Sequence, residues 1–251
     1  MLAWKRGKLM PVLKDLAPAG MAALAGAIAA FWIADRGLVA GALGTALAIW
    51  IALGVLTDLA KRFKLGEIAF SASLARAARL PLGIWGMAVA HFGVAIVVFA
   101  ITGVSAWKQE ASAFLMPGQH LDIRELAITL DDVQQYEGSN YVAERGEFTV
   151  RRGQRVVANM TAERRLYPVR GMSTTESAIH ARASGDVYVT IGQPSPEHGW
   201  PVHVYLYPFA VWLWIGSAVL GLGGLLSLSD RGRRALAAKP KARSANPEPA
   251  E

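Results

Sequence analysis

The sequence predicts a membrane α-helical protein with four transmembrane helices, plus a small antiparallel all-β domain carrying one short helix. Three observations predict this class. Four apolar windows are each long enough to cross a hydrocarbon core of about 30 Å, which takes about 20 residues. Residues 108–208, between the last two windows, alternate apolar and polar positions at the strand period. Lys and Arg gather in segments that all fall on one side of the bilayer if there are four crossings.

The windows run from about Leu16 to Ala34, Leu38 to Leu59, Trp85 to Trp107 and Phe209 to Leu228. Trp32, Trp85, Trp107, Trp212 and Trp214 lie toward their ends, where amphipathic rings favour the headgroup layer. The first window does not read as a signal peptide, because a second span follows within a few residues and no convincing small-residue cleavage site intervenes. Residues 1–107 therefore read as a membrane region with three helices and a connecting loop over 60–84. In that loop, Leu74, Ala75, Arg76, Ala78, Arg79 and Leu80 before Pro81 suit either an amphipathic helix on the inner leaflet or an ordinary basic loop.

Orientation follows from the cations. Lys5, Arg6, Lys8 and Lys14 precede the first span, and Lys61, Arg62, Lys64, Arg76 and Arg79 fill the loop after the second. Arg231, Arg233, Arg234, Lys239, Lys241 and Arg243 follow the fourth, against the single Arg36 in the first turn. The positive-inside tendency makes that side cytoplasmic, with both termini inside and residues 108–208 outside. Residues 229–251 read as a disordered basic tail.

The outer segment reads as strands. LDIRELAITL, YVAERGEFTVRRGQRVVANM, DVYVTIG and WPVHVYLY are rich in Val, Thr and Tyr. Glu137-Gly138-Ser139-Asn140, Arg152-Gly153 and Gln193-Pro194-Ser195-Pro196 separate them as turns, and residues 150–156 read as a tight hairpin. Thr174 to Ile179 reads as the one short helix. A small sandwich or barrel fits.

Composition narrows the functional classes. The chain has 251 residues, 53% hydrophobic and 18% charged, with a net charge of +7. A soluble domain usually carries about 25% charged residues. Lys108–Tyr207 holds 10 Lys/Arg against 12 Asp/Glu, while the remainder holds 16 against 7. The basicity thus belongs to the segments flanking the spans, and no basic, aromatic-laced face is left for a nucleic acid. With no cysteine, the chain itself offers no disulfide, thiolate metal site or thiol redox chemistry.

Soluble-side motifs are sparse. No phosphate-binding glycine loop, Gly-x-Ser-x-Gly elbow or His-Glu-x-x-His occurs. His120, His180, His198 and His203 lack metal-ligand spacing and read as surface or edge residues. The Glu163-Arg164-Arg165-Leu166-Tyr167-Pro168 run is either a solvated strand face or a docking surface through Glu163, Arg164, Arg165 and Tyr167. His91 differs because it lies inside an apolar span, about 9 Å along the helix from Trp85. An ionisable residue at such depth is a functional candidate, and neutral imidazole is a standard ligand for haem iron. Gly86, Ala88, Ala90 and Gly93 around it leave room for a flat cofactor or for another helix. Two readings stand, a metal ligand or a histidine hydrogen-bonded between helices. No other histidine lies in a span, so a bis-imidazole haem would draw its second ligand from another polypeptide.

These stretches resemble the C-terminal part of the CcmF family, the large membrane subunit of the bacterial System I cytochrome c haem lyase. Leu2-Ala3-Trp4-Lys5-Arg6-Gly7, the Gly86-to-Gly93 helix and Asn140-Tyr141 carry the resemblance. So do residues 163–168, Thr175-Glu176-Ser177-Ala178-Ile179, Asp186-Val187-Tyr188-Val189 and Trp212-Leu213-Trp214-Ile215-Gly216, all in family order. The resemblance implies a multi-pass protein of the bacterial inner membrane whose β domain is periplasmic. It implies a haem b bound through His91 as axial iron ligand and shared with a second polypeptide, in the outer half of the bilayer. Haem would pass from the chaperone holo-CcmE to apocytochrome c, with CcmH, CcmI and an N-terminal CcmF half as further partners. Family members are longer, so the chain is expected to be one half of a split protein or a truncated product, and catalysis by it alone is not expected. Tyr207 and Val211 stand where the family usually has Lys and Arg. The alternatives are a non-catalytic membrane scaffold without haem and, with little beyond Thr45, Thr57 and Asp58 to line a path, a transporter.

Overall fold

The computed structural model describes residues 9–33 and 39–237. Leu2 to Lys8, Arg36 and the cations beyond residue 237, used above for orientation and resemblance, lie outside the described residues. The described chain begins with α1 (Leu9–Ile33) and α2 (Val39–Phe63), followed by α3 (Phe70–Ala78) and α4 (Leu82–Ala106). Nine strands, β1 (Gln109–Leu115) to β9 (Trp200–Tyr207), precede α5 (Val211–Ala237). Four helices are long and apolar enough to cross a membrane: Leu13–Trp32, Val39–Phe63, Leu82–Ala106 and Val211–Asp230. α5 continues as helix through Ala237, where a disordered tail was expected from residue 229.

Two compact units emerge. One takes residues up to Ala25, Leu47–Ile96 and from Ile215 onward; the other takes Gly26–Ala46 and Val97–Trp214.

In the first unit, α4 and α5 cross on small residues. A Cβ added to Gly86 would lie 2.5 Å from the Ser227 nitrogen and 2.7 Å from the Gly223 oxygen. One added to Gly93 would lie 2.5 Å from the Leu220 nitrogen. Close backbone approach of this kind is how membrane helices gain dispersion contact where burial from water offers nothing. Of the two readings of loop 60–84, the helix forms as α3, with Ser73 and Ala77 buried and Phe70 and Leu74 exposed. It ends at Ala78. Pro81, which lacks an N–H, stands immediately before α4, where no partner for that group is needed.

In the second unit the strands form a β-sandwich. Its sheets run β1-β9-β8-β7 and β2-β3-β4-β5-β6, where β2 is His120–Ile123, β3 Leu126–Glu137, β4 Val142–Arg152 and β5 Arg155–Tyr167. β6 is Met172–Glu176, β7 Ala178–His180 and β8 Asp186–Ile191. Inward positions at period two fill the core: Ile128, Leu130, Phe148 and Val150 from one sheet, Val187, Val189, Ile191, Val202 and Val204 from the other. Gly153, with φ 55°, turns the expected 150–156 hairpin, and Arg152 pairs with Arg155 across it.

One expectation fails here. Residues 174–179 are not helical but belong to β6 and β7. Thr174 pairs with Arg165 and Thr175 with Arg164, so the β5 edge supplies backbone partners that six residues of isolated helix could not match. LDIRELAITL likewise divides at Arg124-Glu125 into two strands. Phe148 is the largest fully buried side chain of the core. Phe148→Ala should lower sandwich stability by about 3–5 kcal/mol, measured as thermal unfolding of the purified chain in detergent.

Candidate functional site

His91 lies 9 residues from the start of α4 at Leu82 and 15 from its end at Ala106, hence about 14 Å and about 22 Å along the axis. The small residues around it do not form a cofactor cradle. Gly86, Ala90 and Gly93 face α5, so the second possibility, another helix, is the one realised. His91 projects instead with Met87 and Ala88 into a groove of about 350 Å³, across from Trp50, Ile51, Gly54 and Val55 of α2. Leu16 of α1 closes one side, and Asp58 and Arg62 line one end. A Cβ on Gly54 would meet no atom within 4 Å, so the groove floor is open there.

The imidazole bonds within its own helix. Nδ1 lies 2.8 Å from the Met87 carbonyl oxygen, and since a carbonyl only accepts, Nδ1 carries the proton. In the neutral ring, Nε2 is then the nitrogen with the free lone pair. A backbone carbonyl on one ring nitrogen and a lone pair on the other is the arrangement that orients imidazole ligands on metals. Arg62 Nε donates to Asp58 Oδ2 at 2.6 Å, and Lys61 pairs with Asp15. The groove thus combines an imidazole donor and an apolar wall, with the Asp58–Arg62 pair at one end. An imidazole and an apolar lining are two demands of a haem, and to that extent the residues fit the group.

The placement corrects the expected depth. His91 occupies the half of α4 on the side of the 64–81 connection, not the half that leads into β1. If the basic side is cytoplasmic, the groove lies in the inner half of the bilayer. Sequence reading missed the α2 face. Trp50 sits mid-span, away from the headgroup position its residue type prefers, with Gly54 one turn later, and that pair was the available signal. Thr45 and Thr57 donate to the carbonyls of Gly41 and Leu53 in their own helix, so neither offers a polar path to a solute.

The other expected site belongs to the second unit. Glu163 lies directly across from Arg145 in the β4–β5 register and is only 7% exposed. Arg145 Nη2 approaches its Oε1 at 2.6 Å and Arg165 Nε donates to its Oε2 at 2.8 Å. Arg164 meets Glu144 at 3.1 Å, again directly across the strands. The run is therefore a cross-strand ion network, with Glu163 beneath the surface. Arg145 lies over Tyr136 at 4.0 Å and Arg165 over Tyr141 at 4.6 Å, with Tyr167 5.7 Å from Tyr141. What faces outward is an arginine–tyrosine surface.

Burial pushes the Glu163 carboxyl up, but the hydrogen bonds from Arg165 and Arg145 outweigh it and hold the group below its ordinary value of 4.5. A depressed carboxyl stabilises the fold above its unfolded pKa, and that contribution drains away as pH falls through the lower folded value. Wild-type melting temperature should therefore drop below about pH 4.5. Glu163→Gln should cost about 1–3 kcal/mol at neutral pH, by taking the carboxylate from Arg145 and leaving Arg165 only the longer 3.7 Å contact with Glu176, and should flatten that acid limb. Thermal unfolding across pH reads both.

Among the described residues, no three His, Asp or Glu side chains gather in a way that would hold a metal ion. His120 lies 3.8 Å from Asp122, His198 shares a 3.3 Å contact with Ser195, and His180 and His203 lie on strands.

Comparison with known proteins completes the picture. Residues 106–208 match the family described as the CcmF C-terminal beta-sandwich. The cytochrome c-type biogenesis protein CycK of Bradyrhizobium diazoefficiens is 34% identical over 252 aligned residues, covering all of this chain and 38% of that protein. CcmF of Escherichia coli is 30% identical over 79% of this chain and 29% of its own length. The chain thus spans well under half the length of these relatives, and it aligns with their C-terminal part. The solved structure of the cytochrome c haem lyase CcmF superposes with a TM-score of 0.64 at 18% identity, over 90% of this chain and 36% of that one.

Proposed function

Because the chain belongs to the CcmF family of cytochrome c-type biogenesis proteins, as a C-terminal part, we propose that it holds one face of a haem b in the membrane and presents a docking domain for haem attachment to apocytochrome c. The observation that carries this reading is the groove, which His91 lines together with apolar residues of α2 while its Nδ1 bonds to the Met87 carbonyl. His91 would hold the iron, and a second imidazole ligand would have to come from another polypeptide, since the other four histidines lie in the β domain. The Met87 carbonyl fixes the ring tautomer and direction. Trp50, Ile51 and Val55 would line the macrocycle and exclude water. When bound, haem supplies a one-electron couple, suited to keeping the delivered iron reduced while thioethers form at the partner's cysteines.

The protein resides in the bacterial inner membrane with both termini cytoplasmic and residues 108–208 periplasmic. The grouping of Lys14, Lys61, Arg62, Lys64, Arg76 and Arg79 on one side supports that orientation. The arginine–tyrosine face around Arg165, Tyr141 and Tyr167 is where holo-CcmE, CcmH, CcmI or apocytochrome c would meet the sandwich, because stacked guanidiniums and tyrosines are what partner surfaces enrich. The test is the reduced-minus-oxidised absorption spectrum of the protein purified with its natural complex. A b-type band supports the reading. A complex that matures cytochrome c yet shows no such band leaves only a scaffold.

A further inference from the structure

A second cationic pocket, of about 130 Å³, lies in the unit that contains the sandwich and the helix ends leading into it. Three guanidiniums line it from separate elements: Arg124 in the β2–β3 turn, Arg152 at the end of β4 and Arg182 in the loop between β7 and β8. Two carboxylates face them. Arg152 reaches Glu125 at 3.4 Å, and Asp186 Oδ1 accepts the Arg182 backbone N–H at 3.2 Å, which leaves an excess of one positive charge. Arg182 Nε donates to the Gly185 carbonyl at 3.2 Å, so that bond curls the loop while the Nη donors remain for a ligand. Burial first, and then the repulsion of Arg152, pull Arg182 below its ordinary value, a cost that a bound anion would offset.

The local backbone is built for this placement. Arg124 adopts φ 52°, a left-handed conformation that glycine or asparagine enters at lower cost. Strain of about 1 kcal/mol retained at an arginine is the kind of outlier that marks a site. Gly185 has φ 144°, and a Cβ there would lie 2.9 Å from Pro208 Cα, so only glycine lets the loop close against the end of β9.

Depth identifies the ligand. Gln109 and Pro208 in the pocket wall stand three residues from the last residue of α4 and the first of α5. Trp212 in the first turn of α5 donates its indole N–H to the Ala183 carbonyl at 2.9 Å, pinning the Arg182 loop to the helix. Phe99, Trp107 and Phe209 cluster at the same helix ends, with centroids 5.0–6.1 Å apart, as an interfacial aromatic belt does. A pocket at that level meets headgroups. We propose that Arg124, Arg152 and Arg182 bind the phosphate of an anionic phospholipid in the leaflet from which the sandwich emerges. Phosphatidylglycerol suits the excess cation, whereas the amine of a zwitterionic lipid would be repelled.

The site is independent of His91, and its test requires no haem. The full chain, with whatever co-purifies, is reconstituted in vesicles of equimolar phosphatidylglycerol and phosphatidylcholine and then stripped in detergent, and native mass spectrometry counts the retained lipids. Wild type should retain phosphatidylglycerol on the order of tenfold over phosphatidylcholine. Arg182→Gln and Arg152→Gln should abolish that preference, while Arg164→Gln, a partnered arginine elsewhere on the sandwich, should keep it. Arg124→Gly relaxes the backbone and keeps the fold, so loss of preference in that variant excludes misfolding as the cause. Equal retention by all variants would overturn the proposal. So would displacement of the lipid by inorganic phosphate at matched concentration, which would make the pocket a free-anion site.

Discussion

His91→Ala should remove the b-type absorption of the native complex almost completely while leaving the chain folded. Among the described residues the imidazole hydrogen-bonds only to the Met87 carbonyl of its own helix, and alanine is the better helix former, so the spans lose no interhelical hydrogen bond. The expected loss is therefore one of ligation and not of assembly. Two further variants separate those effects. Gly54→Leu places a side chain on an open groove floor, where a Cβ meets nothing within 4 Å, and should block the haem with the ligand intact. His91→Gly with added free imidazole should recover part of the band, since the vacated space opens onto the groove. Cytochrome c maturation should fall with haem content in each case. If His91→Ala retains the band at wild-type intensity, the iron is held elsewhere and the groove is only a lipid-facing cleft.

The four membrane-length helices were legible because hydrocarbon makes a severe demand. Every backbone group must be satisfied within the span, so about twenty apolar residues admit one structure. The strands were legible wherever core positions alternate, as at 186–191 and 200–207. Residues 174–179 were misread because the turn before them went unread: β5 folds back at 168–171, where Gly171 has φ 62°, and sets Thr174 against Arg165 nine residues earlier. Short segments take the structure of whatever edge they meet. Strand β1 went unread for a related reason, since its pairing with β9 links the two ends of the domain. Glu163 shows the same limit at a side chain. In sequence it is one charge in a hydrophilic run, and only the register that sets Arg145 opposite turns it into a buried acceptor. His91 stood out alone as a polar residue in a span. Its direction did not, because which face of α4 meets α5 is decided by Gly216, Leu220, Gly223 and Ser227, more than a hundred residues away.

That crossing carries the second large effect. Gly86→Leu or Gly93→Leu should separate α4 from α5 and lower the yield and melting temperature of the detergent-solubilised chain sharply. At both positions the atoms a side chain would strike are backbone: Ser227 N and Gly223 O for Gly86, Leu220 N and Gly216 O for Gly93, all within 2.8 Å. Backbone cannot rotate away, so the helices themselves must move, and overpacking of this kind costs at least about 1–3 kcal/mol. Gly223→Leu should behave alike, because its Cβ would run into the backbone of Ala90. The contrast lies on the same helix. Gly221 and Gly224 meet nothing within 4 Å, so alanine there should be neutral or stabilising by up to about 1 kcal/mol through helix propensity. The prediction concerns periodicity as much as size, since Gly223 and Gly224 are neighbours in sequence with opposite expected outcomes. Should both tolerate leucine equally, the α4–α5 seam is not where the helices meet. The orientation of His91 toward α2, which follows from that seam, would then fall with it.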